Sequence, residues 1–176
     1  IKKIKEDISS MQILLGEYLE YSKNDRATEK LKKIKLSKFV KKIISQTKKT
    51  FIKKEITLIC STSIVISQRE NNIYRVLSNI LNNACKFGEK ILIKIEENNK
   101  NIQVRMEDDG PGIPLKIKKK IFKPFFKSDT SRNQNYLGSG LGLSIAYEIM
   151  SSIGGRIELE KSKLGGSCFI VIFPKN

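Results

Sequence analysis

Three glycines, Gly138, Gly140 and Gly142, stand two residues apart just before an apolar stripe at helical spacing: Ile145, Ala146, Ile149, Met150 and Ile153. A helix N-terminus offers unpaired backbone N–H groups and partial positive charge, and glycine lets a phosphate approach the backbone. The segment YLGSGLGLSIAYEIMSSIGG (136–155) therefore asks for an anion. It lacks the Lys-before-Ser of a Walker A loop, and its G-x-G-x-G spacing is not a dinucleotide fingerprint.

A second cluster lies in NIQVRMEDDGPGI (101–113). In a strand, Ile102, Val104, Met106 and Asp108 share one face, and three apolar members mark that face as buried. A carboxylate there is costly unless it accepts strong hydrogen bonds. Gly110 and Gly112 thin the adjacent wall, leaving room for a planar ligand with an exposed amine. Adenine fits; guanine presents an acceptor at that position and would be rejected. The competing reading is an Asp that merely stabilises the Gly-containing turn after it.

A third cluster is RVLSNILNNACKF (75–87), where Asn79, Asn83 and Lys86 fall at i, i+4 and i+7 beside the apolar face. Asn72 extends the stripe and Asn82 flanks it. Asn is a mediocre helix former, so a solvated face would favour Glu and Lys. Amide oxygens suit a hard cation such as Mg²⁺, and Lys86 suits phosphate. Codon bias toward Asn is the plain alternative.

The elements that must position these groups follow from periodicity. Residues 1–22 carry Ile1, Ile4, Ile8, Met11, Leu15 and Tyr18 in a coiled-coil-like seam, which needs another helix to cover it. The polar run 23–35 reads as a linker. Leu36, Phe39, Val40, Ile43, Ile44 and Phe51 mark an amphipathic helix, and ITLIC (56–60) and SIVIS (63–67) read as strands. Ser67 and Glu70 have capping-box spacing ahead of the Asn-bearing helix. Strands are expected at 90–97, 101–108, 156–160 and 167–173, with an irregular basic segment at 111–137. The order predicts an α+β fold: a two-layer sandwich with helices on one face of a largely antiparallel sheet.

The chain has 176 residues, a net charge of +16 and no His. Lys outnumbers Arg 28 to 6, a mix that A/T-rich coding also produces, whereas phosphate and base recognition favour Arg. We expect no nucleic-acid partner. Cys60, Cys85 and Cys168 fit neither a disulfide framework nor a zinc site, which suggests a reducing compartment. No apolar run is long enough to span a membrane. Residue 1 is Ile, so a piece of a longer protein is expected.

These motifs together resemble the catalytic and ATP-binding domain of sensor histidine kinases, within the superfamily that includes gyrase-type topoisomerases, Hsp90 chaperones and mismatch-repair ATPases. NILNNACKF (79–87) is similar to the family's N box, DDGPGI (108–113) to its G1 box, FKPFF (122–126) to its F box and GSGLGL (138–143) to its G2 box. GGSCFIVIFP (165–174) resembles the closing strand, and order and spacing agree over 36–174. The stretch PFF-x-SD-x-SR (124–132) most resembles the osmosensing subgroup.

The resemblance implies ATP and Mg²⁺ as ligands. Asp108 would bind the adenine amine, with Gly110, Gly112 and Ile113 shaping that wall. Asn83 would hold Mg²⁺, supported by Asn79, while Lys86 and Phe87 would approach phosphate and adenine. Gly138, Gly140, Leu141 and Gly142 would form the phosphate-facing hinge, and Arg132 would reach the γ-phosphate. Phe122, Phe125 and Phe126 are either lid-gating or ordinary packing residues.

The superfamily's hydrolysing members carry a Glu four residues before the metal Asn; here that position is Asn79, which cannot act as a general base. The resemblance therefore implies transfer of the ATP γ-phosphoryl to a His rather than hydrolysis. Residues 1–22 resemble the second helix of the family's dimerisation bundle, with the His-bearing helix absent. It further implies a homodimeric intact protein, a response-regulator receiver domain as partner, a cytoplasmic catalytic domain and a membrane-embedded sensor. A hydrolysing ATPase of the same superfamily and a non-catalytic basic binding module are the rival readings.

Overall fold

Alternating burial along the strands and helical periodicity between them decide the layers. The computed structural model describes residues 29–60, 63–127 and 139–175. Strand β1 (Lys32–Lys35) leads into helix α1 (Leu36–Thr50), then β2 (Glu55–Cys60), β3 (Val65–Gln68) and helix α2 (Glu70–Phe87). Strands β4 (Lys90–Glu97) and β5 (Asn101–Asp108) follow, then two short 3₁₀ turns, Leu115–Ile117 and Lys120–Phe122. Helix α3 (Gly142–Ser152) and strands β6 (Arg156–Lys161) and β7 (Ser167–Pro174) complete the fold.

Five strands form one sheet in the order β2-β4-β5-β7-β6. Only the β2–β4 pair is parallel; β4–β5, β5–β7 and β6–β7 are antiparallel. Ile102, Val104 and Met106 of β5 and Phe169, Val171 and Phe173 of β7 point into a single core shared with the three helices. Alternate residues point the other way, and Cys168, Ile170 and Ile172 make a small separate cluster on that outer face. Arg105 roofs it: its Nη2 donates to Glu160 Oε2 at 3.0 Å and lies 3.4 Å from Cys168 Sγ. Burial pushes the Cys85 and Cys168 thiols up to about 11, so both stay protonated at neutral pH and serve as packing.

Helix α2 is the spine of the core. Ile73, Val76, Leu77, Ile80, Leu81, Ala84 and Cys85 are all fully buried, and each large apolar side chain so placed contributes about 1.5–3 kcal/mol. That stripe fixes the helix's rotation, so its opposite flank must carry Asn79, Asn83 and Lys86 toward α3.

Several sequence expectations are corrected. The stretch read as linker through residue 35 ends in β1, which pairs antiparallel with β3 and buries Ile34. SIVIS therefore belongs to this separate two-stranded ribbon, not to the main sheet. Ser67 is no helix cap: it lies inside β3, and the position before α2 is Arg69, without a side-chain cap. Residues 1–22, with their apolar seam, lie outside the described residues. No helix among the described residues is long and apolar enough to cross a membrane.

Candidate active site

Helix α2 and the start of α3 face each other across a cavity of about 340 Å³. From α2, Asn79, Asn82, Asn83 and Lys86 line it; from the opposite side come Ser139, Gly140 and Gly142. Tyr74, Arg75 and Ser78 extend the α2 wall, while Ile121 and Phe126 supply an apolar side. The asparagine stripe and the glycine run, some sixty residues apart in sequence, thus meet at one site. Thr47 Oγ1 of α1 donates to Asn82 Oδ1 at 3.5 Å, which ties that amide to the body of the domain.

The start of α3 is suited to an anion. No side chain caps it and its first turn contains no acid, so its terminal N–H groups and dipole face the cavity without a built-in counter-charge. Gly140 has a φ of +77°, a conformation that costs a side-chain-bearing residue about 1 kcal/mol or more. A Cβ there would also lie 2.9 Å from Phe125 C and Phe126 O. Phe125 N donates to Gly140 O at 3.1 Å, so the two loops bordering the cavity are joined backbone to backbone. Gly142 sits directly over Asn79: a Cβ would meet the Asn79 amide oxygen at 3.4 Å. Leu141, between these two glycines, has its side chain buried in the core.

Asp108, Phe87, Gly110, Gly112 and Ile113 do not line this cavity; a second cluster forms at the end of α2, where Gly110 lies against the Phe87 carbonyl and Asp108, and Gly112 borders Gly166, while Ile113 packs on the core. The burial expected for Asp108 holds, since it is 3% exposed. Its Oδ1 accepts from Gly110 N at 2.9 Å and Ser167 N at 3.1 Å, which leaves Oδ2 as the oxygen available to a ligand. Desolvation pushes the carboxyl above its ordinary range; the two backbone hydrogen bonds oppose that shift. Asp109 differs: Oδ1 accepts from Lys90 N at 2.9 Å and Glu89 N at 2.7 Å, and these bonds hold its carboxyl below the usual range. It clamps the end of β5 to the start of β4. The two clusters adjoin through α2 itself, because Asn83 and Phe87 are one turn apart, a rise of about 5–6 Å.

Sequence reasoning missed Gly166 and Ser167 of the β6–β7 turn. Gly166 N donates to Asp108 O at 3.1 Å, and a Cβ on Gly166 would overlap Asp108 Oδ1 and come 2.5 Å from Gly110 N. The signal was present: Gly165–Gly166 immediately precedes a buried strand, as glycines do where backbones approach closely. Phe122 packs on Tyr147 of α3, with centroids 5.3 Å apart, whereas Phe126 faces the cavity. Arg132 and Gly138 lie outside the described residues, as does most of the stretch that suggested the osmosensing subgroup.

The chain is similar to known proteins in both sequence and fold. The model for histidine kinase-, DNA gyrase B- and HSP90-like ATPases matches residues 68–176. Sensor protein RstB of Escherichia coli (strain K12) is 31% identical over 97% of this chain, which spans 40% of RstB. The solved catalytic domain of histidine kinase ThkA superposes with a TM-score of 0.72 at 27% identity, covering 83% of this chain and 98% of that one. The structure of ThkA in complex with the response regulator protein TrrA gives a TM-score of 0.78 at 27% identity over 100% of this chain and 50% of that one. The chain thus belongs to the histidine kinase-, DNA gyrase B- and HSP90-like ATPase family, as an ATP-binding catalytic domain of the sensor histidine kinase type.

Proposed function

We propose that this domain binds Mg-ATP with its base against Asp108 and its phosphates between α2 and α3, and presents the γ-phosphoryl group to a histidine outside these 176 residues. The observation that carries the reading is the meeting of the Asn79–Asn83–Lys86 stripe with the uncapped, glycine-opened start of α3 across one cavity. Asp108 Oδ2 accepts the adenine amine while Oδ1 stays committed to Gly110 and Ser167. Lys86 contacts phosphate, and the α3 N–H groups stabilise negative charge beside it. Ser139 and Gly140 form the near wall for phosphate; Gly138 and Arg132 adjoin the same segment in sequence.

The donor set fits magnesium. Among the described residues no group of three His, Cys, Asp or Glu side chains could hold a metal by itself. Asn83 supplies one neutral oxygen, which suits an ion whose remaining ligands are waters and substrate phosphates. Bound there, Mg²⁺ would neutralise phosphate charge during transfer. Asn79 supports Asn83 and provides no base to activate water.

A sequence with no His cannot supply the family's phosphoacceptor. We infer an acceptor helix elsewhere in the intact protein, dimerisation through a bundle to which residues 1–22 contribute, and onward transfer to a receiver domain, the partner class seen with ThkA. We place the domain in the cytoplasm and the intact protein in the membrane. The deciding experiment mixes this chain with a His-bearing dimerisation bundle and γ-labelled ATP. Label should reach the bundle in the presence of Mg²⁺, and Asn83→Ala should abolish transfer. Rapid ATP hydrolysis by the isolated chain, itself lost in Asn83→Ala, would overturn the kinase reading.

A further inference from the structure

Glu107 is the neighbour of Asp108, and the pleat of β5 turns it to the opposite face of the sheet. It is only 2% exposed, although a carboxylate on that outer face has little reason to be buried unless it is strongly hydrogen-bonded. Its Oε2 accepts from Lys163 N at 3.0 Å and from Ser162 Oγ at 3.4 Å. Its Oε1 lies 3.8 Å from Lys94 Nζ. Ser162 and Lys163 begin the turn that joins β6 to β7, and that turn ends in Gly166 and Ser167, the two residues packed on Asp108.

The turn's own bonds are few: Ser162 N to Gly166 O at 3.0 Å, Gly165 N to Ser162 O at 3.2 Å, and Leu164 N to Ser162 Oγ at 2.9 Å. Its described ties to the rest of the domain run to two consecutive residues of β5. Glu107 holds its first half from the outer face, and Asp108 holds its last half from the core face. Gly166 has no room for a side chain, because it lies against both Asp108 and Gly110, and its carbonyl borders Gly112.

We propose that Glu107 is a positioning residue for the base end of the nucleotide site: from the far face of the sheet it tethers the β6–β7 turn, so that Gly166 and Ser167 hold Asp108 in register for the base. The inference rests on the ATP reading above and assigns Glu107 no contact with nucleotide. Releasing the tether lets the turn leave its place, and apparent affinity falls in proportion to the competent fraction that remains.

The test titrates ADP and GDP calorimetrically into the 176-residue chain and its variants, with a thermal melt of each. Glu107→Ala removes both acceptors. Lys163→Pro removes the opposing N–H at the second position of a four-residue turn, where proline is favoured. Both should weaken ADP by about tenfold, as for a competent fraction near one tenth, and should narrow the preference for ADP over GDP. Glu107→Gln keeps an acceptor for Lys163 N and should recover affinity to within about threefold. Lys94→Met removes only the ion pair and should stay within about twofold.

Wild-type affinity and base preference in a folded Glu107→Ala or Lys163→Pro would overturn the proposal. So would a Lys94→Met loss equal to that of Glu107→Ala. If Glu107→Ala does not fold, Lys163→Pro decides alone. Failure of the wild-type chain to bind ADP would instead defeat the functional reading beneath it.

Discussion

Asp108→Asn should separate stability from function. Oδ1 accepts two backbone N–H groups, from Gly110 and Ser167, so the variant's carbonyl oxygen must stay in that position. The new amide nitrogen then replaces Oδ2 and points one donor at another, the adenine amine. A hydrogen bond to a charged group contributes about 1.5–3 kcal/mol, so affinity should fall by about 10- to 100-fold. At a hundred times the wild-type dissociation constant, ligand stabilises the parent by about 2.7 kcal/mol, or roughly 5–10 °C for a chain of this size. A variant bound a hundredfold more weakly gains only about 0.4 kcal/mol at the same concentration, close to 1 °C.

Without ligand the variant should melt no lower than the parent, because burial penalises the ionised carboxylate that it removes. The sign with pH follows. Asp108 titrates above its ordinary 3.8 in the folded state, so its favourable contribution is full below 3.8 and lost as pH rises through the folded value. The melting difference between variant and parent should therefore shrink as pH is lowered from 7 toward 4. Differential scanning fluorimetry with and without ADP measures all of this. An undiminished ADP shift in Asp108→Asn would refute the assignment of Oδ2 to the base.

Asp109→Ala should destabilise by about 1 kcal/mol through loss of an acceptor shared by two backbone N–H groups. Because Asp109 is held below 3.8, that loss should be fullest at neutral pH and fade as the pH falls through its folded value, as melts across pH would show. Gly140→Ala should cost about 1 kcal/mol or more from its positive φ alone and weaken ADP, since its Cβ meets the Phe125–Phe126 backbone; calorimetry reads the affinity and a melt the stability. Asn83→Ala should leave the magnesium-free ADP shift intact while abolishing the increment that Mg²⁺ adds; an unchanged Mg²⁺ increment would remove Asn83 from the metal site.

Much of the fold was legible because its signals are local. The eight-residue strands β4 and β5 announce themselves by alternation, and α2 by a stripe that leaves no ambiguity of period. The inward turn of Asp108 followed from the same alternation. The errors share a different cause. Lys32–Lys35 looks like a charged linker, because three of its four residues are lysines and a single buried Ile34 carries no periodicity; only pairing with β3, thirty residues away, makes it a strand. Ser67 matched a capping pattern, yet that same pairing claims it for a strand. The contact of Gly166 and Ser167 with Asp108 was not legible because Asp108 lies on another strand, and the β5–β7 register that joins them is a property of the sheet.

Asn79 shows how packing can constrain which chemistry a site supports. Its amide lies beneath Gly142, with only 3.4 Å between its oxygen and where a Cβ would stand, so the start of α3 rests almost on this side chain. A glutamate here would add a methylene and a negative charge beneath the first residue of α3. The charge would suit the helix terminus, but it would take the place of the anion that terminus is free to bind. A neutral, compact amide instead leaves the uncapped N–H groups to phosphate and supplies no base to a water. In the reading proposed above, the amide at position 79 is the feature that favours holding ATP for transfer, and a Cβ at position 142 would only reach ordinary van der Waals contact with it, at 3.4 Å.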